Sequence, residues 1–131
     1  MSKTIFCDLD GTLVKHCGDA TLIQDPNYEL KILPGTIKIL NDWNRNGYYI
    51  IITTGRKESA REATIKQLQR AGILYDQLIM GFGGGDRILI NDKKSNSDRN
   101  TAYAINIDRN VGLEHENNIY TLGKRNLVRT E

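Results

Sequence analysis

The 131 residues, 39% hydrophobic and 26% charged, have the proportions of one soluble globular domain with a core of its own. A net charge of +2 is too near neutral to argue for nucleic acid or an anionic membrane as a partner. No apolar stretch approaches the roughly 20 residues of a membrane span, and Cys7 and Cys17 have neither zinc spacing nor a disulfide framework.

Thr4 to Cys7 is an apolar run that turns polar at Asp8, as a buried strand does on reaching the edge of a sheet. It starts within three residues of Met1, which leaves no room for a signal peptide, so a cytoplasmic location is expected. Residues 14–33 hold no sustained period and carry Gly18, Pro26 and Asn27, which predicts a flap or irregular hairpin. Pro34 and Gly35 then open a helix with Ile37, Leu40 and Trp43 or Asn44 on one side, closed by Asn46 and Gly47.

"YYIIITT", residues 48–54, is continuous and β-branched, the pattern of a strand buried on both faces. A second helix is expected over about 58–71, with Ala60, Ala63, Thr64, Leu68 and Ala71 inward and Gly72 as its left-handed stop. "QLIM" (77–80), "RILIN" (87–91) and "TAYAINI" (101–107) read as three more strands, the last nearer an edge. This order predicts an α/β fold, three layers around a mostly parallel five-stranded sheet, in a single domain over 1–131. Residues 108–131 form a polar C-terminal extension in which "NIYTL" (118–122) reads as a short edge strand before a fraying end.

In open α/β sheets the ligand crevice lies beyond the carboxyl ends of the strands. Three of the expected strands end there in polar groups: Asp8-Leu9-Asp10-Gly11-Thr12, Thr53-Thr54-Gly55-Arg56 and Asn91-Asp92-Lys93-Lys94. Two acids side by side repel each other and resist desolvation, so a cation and a phosphate belong with them. Asp8 would attack phosphorus and Asp10 would handle the proton of the leaving alcohol and of the hydrolytic water. Mg²⁺, a hard and oxygen-seeking ion, would bridge Asp8, Asp92 and the phosphate. Gly11, Thr12, Gly55 and Arg56 are expected against the substrate, Gly11 also allowing a sharp turn. Arg56 has a second reading as a surface charge at a helix start, and Thr54 as a helix N-cap.

"DLDGT", "IITTGR" and "RILINDKK", each at the end of an apolar run, together resemble the haloacid dehalogenase (HAD) superfamily over residues 4 to about 107. The resemblance implies a Rossmann-like core and a phosphatase. Asp8 is similar to the family nucleophile and Asp10 to its acid/base, with the Asp10 carbonyl also on the metal. Thr54 is similar to the phosphate-binding hydroxyl and Asp92 to the metal-binding acid. Asn91 stands where many members have a second acid, leaving open whether it touches the metal. The family's upstream lysine has no clear counterpart: Lys57, Arg61, Lys66 and Arg70 fall on the second helix, Arg87 opens the fourth strand at the far end from the crevice, and Lys94 is preferred.

Only residues 14–33 and 57–87 lie in the gaps where such proteins carry a cap, so a cap-less, open site is expected. The family's small cap-less members then imply a small phosphorylated substrate such as a sugar phosphate, with a homo-oligomer closing the site. Weighed against this are a nucleic-acid 3′-phosphatase and a phosphate-binding regulatory domain. "GFGGGD" (81–86) leads into a strand and lacks a phosphate loop's helix, so it reads as a connector near the crevice, and His16 and His115 read as solvated.

Overall fold

The computed structural model describes residues 2–120. Strand β1 (Thr4–Asp8) is followed by the short helix α1 (Ala20–Ile23), helix α2 (Thr36–Arg45) and strand β2 (Tyr49–Thr53). A single 3₁₀ turn (Glu58–Ala60) leads into α3 (Arg61–Ala71), and β3 (Gln77–Ile79) and the one-turn α4 (Asn117–Tyr120) complete the order. The three strands are parallel with β2 in the centre. Their register pairs Asp8 with Thr53 and Thr53 with Ile79, so all three strands finish at one level and their polar sequels share one edge.

Burial follows the sequence pattern. Ile50, Ile51 and Ile52 are all buried in the central strand, whereas β1 alternates, Ile5 and Cys7 inward and Phe6 outward. Burial, with the Asp8 charge second, pushes the Cys7 thiol up to about 12, so it is a small apolar filler and not a nucleophile. Helix α2 buries Thr36, Ile39, Leu40 and Trp43, a stripe displaced from the expected one, with Ile37 only partly covered. Helix α3 buries Ala63, Thr64, Gln67 and Leu68 and ends at Gly72 in the left-handed region, φ 73°. Residues 14–33 form the expected irregular hairpin: Val14 bridges Ile32, and α1 inside it is capped by the Asp19 carboxylate on the Thr21 and Leu22 N–H groups.

Two expected strands are missing, so the sheet has three strands rather than five among the described residues. Ile88, Leu89 and Ile90 are 84%, 60% and 90% exposed in an irregular segment. The Arg87 guanidinium donates to the carbonyls of Gly83 and Gly85 and lies over the Phe82 ring, which folds the glycine connector on itself just before the run. A short apolar run becomes a strand only if it finds an edge. Residues 101–107 form no ladder either, although Ile105 and Ile107 pack against the core as their alternation implies. "NIYTL" differs too: Asn118 to Tyr120 belong to α4, and Thr121 and Leu122, like the terminus expected to fray, lie outside the described residues. Among the described residues no helix is long and apolar enough to cross a membrane.

The segment after residue 107 is seated through its backbone. Asn110 N–H donates to the Gly11 carbonyl at 2.8 Å and Leu113 N–H to the Pro34 carbonyl at 3.1 Å. Gly112 permits this approach: it has φ 96°, and a Cβ there would lie 2.6 Å from the Pro34 carbonyl oxygen. Gly112→Ala is therefore expected to lower stability by about 1–3 kcal/mol. An unchanged urea midpoint would show that this seat contributes nothing.

Candidate active site

The chain leaves β1 at Asp8 and turns at once because Leu9, Leu13 and Val14 are all fully buried. The Leu9 carbonyl gathers the N–H groups of Thr12, Leu13 and Val14 at 3.2, 2.9 and 3.2 Å. Gly11 closes the turn at φ 91°, its N–H on the Val14 carbonyl at 2.7 Å. The Thr12 hydroxyl donates to Asp8 Oδ2 at 3.1 Å. Partial burial raises the Asp8 pKa and the neighbouring Asp10 charge raises it further, against lowering contributions from the Thr12 hydrogen bond and the Arg87 charge. A group so placed gains from any cation brought beside it.

Asp10 is held quite differently. Arg56, 5% exposed, forks its carboxylate: Nε to Oδ2 and Nη2 to Oδ1, both 2.9 Å. The remaining nitrogen, Nη1, donates to Thr64 Oγ1 at 3.1 Å and Gln67 Oε1 at 2.8 Å. Two equal and parallel bonds fix the plane of the carboxylate, which a lysine could not do. Arg56 is thus neither a surface charge nor open to the crevice. Its guanidinium is committed to Asp10 and α3.

Thr54, 1% exposed, sits where β2 ends, its N–H on the Ile79 carbonyl and its Oγ1 accepting from the Arg56 N–H at 3.1 Å. It therefore caps a turn and not a helix. Gly55 lets the connector pass close, since a Cβ there would be 3.2 Å from the Phe82 carbonyl oxygen. The connector is pinned by Gly81 N–H on the Arg56 carbonyl and Phe82 N–H on the Thr54 carbonyl, 2.8 and 3.2 Å.

Asp92 does not join the acids. It is exposed, its carbonyl accepts from the Thr101 hydroxyl, and the Asn91 amide donates to the same hydroxyl at 2.7 Å. No group of three metal-ligating side chains forms among the described residues. Lys94 sits in an exposed turn, its carbonyl on the Ser97 N–H, and among the contributions to Asp8 the Arg87 charge is the smallest. The run expected to carry 92–94 to the strand ends forms no strand. His115 is exposed beside Glu114, and the His16 N–H donates to Asn110 Oδ1 at 2.7 Å.

Two residues at or behind the site escaped the sequence reading. Arg109 lies across Gly11, its Cγ 3.3 Å from where a Cβ would be. The second is Gln67, whose signal was a large polar side chain on a buried helix stripe with Ala63, Thr64 and Leu68.

The donors gathered here suit Mg²⁺. That ion needs only one or two carboxylates, completing its shell with water and substrate phosphate. The carboxylate open to it is that of Asp8, since both Asp10 carboxylate oxygens are engaged by Arg56.

The family model of the HAD superfamily, subfamily IIIB (acid phosphatase), matches residues 26–115, more than half of the chain and all of it after the acid pair. No curated protein matches. Among solved structures, a chain of the Pnkp1/Rnl/Hen1 complex aligns at TM-score 0.52 and 30% identity over 61% of this chain. A chain of the Pnkp1/Rnl/Hen1 RNA repair complex aligns at 0.51 and 26% over 75%. This chain spans only 28% and 27% of those two. An MCSG target from Vibrio cholerae aligns at 0.49 and 21% over 68% of this chain and 79% of its own.

Removing the guanidinium would leave Asp10, Thr64 and Gln67 without their shared partner. Arg56→Ala is expected to cost about 3–5 kcal/mol of folding stability. Arg56→Lys should recover part of this, because a lysine keeps the charge but cannot fork Asp10 and reach α3 together. Denaturant unfolding of both variants checks the order, and an Arg56→Ala protein as stable as wild type would contradict it.

Proposed function

Since the chain belongs to the HAD superfamily, subfamily IIIB (acid phosphatase), and is thereby a phosphoric monoester hydrolase, we propose that it works with Mg²⁺ through a phosphoryl group carried on Asp8. The observation carrying this is the unequal treatment of two neighbouring acids: Asp8 has a hydroxyl for company and opens to solvent, while Asp10 is clamped by Arg56. One is free to bond to phosphorus, and the other is fixed in orientation, as proton transfer requires.

In the first step an Asp8 oxygen bonds to phosphorus, the bond to the leaving oxygen breaks, and Asp10 gives that oxygen its proton. In the second, Asp10 takes a proton from water, whose oxygen attacks phosphorus and frees Asp8 and inorganic phosphate. Each Asp10 oxygen keeps a lone pair for this proton while Arg56 holds the carboxylate plane. Thr54 Oγ1 and the Gly11–Thr12 turn would hold phosphate oxygens. Mg²⁺, when bound, would sit on Asp8 and the Asp10 carbonyl and offset the negative charge of the phosphate. Asp92 would add to that set if residues 88–91 paired along the edge of β1 that has no partner strand among the described residues.

The absence of a cap and the near-neutral charge favour a small phosphorylated substrate such as a sugar phosphate, with a second copy of the chain closing the site. A second reading, removal of a 3′-phosphate from nucleic acid, is favoured by the likeness to chains of an RNA repair complex.

Asp8→Asn is expected to reduce hydrolysis of 4-nitrophenyl phosphate to background, and EDTA to abolish it until Mg²⁺ is restored. Full turnover by Asp8→Asn would reject the mechanism. A panel of sugar phosphates beside a 3′-phosphorylated oligonucleotide separates the substrates. Activity confined to the oligonucleotide and falling steeply with salt would establish the second reading.

A further inference from the structure

Gln67 lies in the middle of α3, 1% exposed, on a stripe otherwise made of Ala63, Thr64 and Leu68. A buried amide is tolerated only where its donors and acceptor are all met. Here they are met on two different parts of the molecule. Oε1 accepts from Arg56 Nη1, behind the catalytic carboxylate. Nε2 donates to the carbonyls of Leu22, Ile23 and Asp25 at 3.2, 3.1 and 2.8 Å, at the end of the flap helix α1. One turn along, Arg70 extends the same seat, with Nη1 on the Asn27 carbonyl and Nη2 on Asn27 Oδ1, 2.9 and 3.1 Å. Arg70 fastens the flap alone, whereas Gln67 fastens the flap to the guanidinium that orients Asp10.

We infer that Gln67 is a positioning residue for the reaction, setting the Arg56–Asp10 fork and the flap in one register. The amide is rigid and both of its ends are occupied, so the flap cannot lift from α3 without releasing Gln67. Releasing Gln67 in turn frees one side of Arg56. Thr64 still holds Nη1, so the guanidinium stays in place but is free to swing, and the Asp10 plane swings with it. A substrate resting on the flap would thereby tighten the proton donor. This inference rests on the reading of Asp10 as acid and base.

Its test is the dependence of kcat/KM on the leaving group, measured on the full chain with Mg²⁺ over aryl phosphates from 4-nitrophenyl to phenyl. Proton donation matters most for the more basic leaving oxygen, so a misaligned Asp10 costs phenyl phosphate more. Gln67→Met fills the same space without the amide. It should lose about tenfold more activity on phenyl than on 4-nitrophenyl phosphate, and amide hydrogen exchange over residues 22–28 should quicken. An equal loss on every substrate would overturn the inference, whatever the flap does. Should the methionine variant not fold, Gln67→Asn, one methylene too short to span the same atoms, must give the same two changes. Asp10→Asn is the control. If it steepens the dependence and neither Gln67 variant does, the inference alone falls. If it leaves the dependence unchanged, Asp10 is not the acid, and the inference falls with that reading.

Discussion

The structure turns on the buried pairing of Arg56 with Asp10. A guanidinium removed from water is costly unless nearly every N–H finds a partner, and here Asp10, Thr64 and Gln67 supply them. Those partners come from the turn after β1 and from α3, two parts of the chain that the sheet does not otherwise join. The pairing therefore fixes how the acid turn sits over the helix, and through Gln67 how the flap sits over both. It also separates two chemically identical side chains. Asp10 loses orientational freedom while Asp8, two residues earlier, keeps an open face.

The sheet supplies the frame for this arrangement. In-register parallel pairing brings the ends of β1, β2 and β3 to one level, where Asp8, Thr54 and the glycine connector meet. Thr36, fully buried at the start of α2, ties the other end of the acid turn by donating its hydroxyl to the Leu13 carbonyl at 2.6 Å. The segment seated by Gly112 closes the third side, with Asn110 on the Gly11 carbonyl. The acid turn, with its buried leucines, is thus braced from the sheet, a helix and the segment after residue 107.

Much of this was legible in the sequence where the signal is local. The run Tyr48 to Thr54, Gly72 as a helix stop and the spacing of Asp8 and Asp10 each carry a short-range physical constraint, and the strands, helix end and acid turn stand where they imply. Long-range partners were not legible. Nothing near Arg56 in sequence indicates that its carboxylate is 46 residues away, and Gln67 is conspicuous only as a polar residue on a buried stripe. Residues 88–90 show the opposite failure: apolar, they read as a strand, yet strand formation needs an edge, and they stand exposed after a connector that Arg87 folds on itself. Asp92 and Lys94 follow that run and so stay clear of the acids.

On the proposed mechanism the free acid and the clamped acid have different fates during turnover. Acid quenching of the protein while it hydrolyses 4-nitrophenyl phosphate, followed by peptide mass mapping, tests it directly. One phosphoryl group, labile to hydroxylamine and located on Asp8, is expected. A phosphoryl group on Asp10 instead, or rapid turnover with no labelled carboxylate at all, would contradict it.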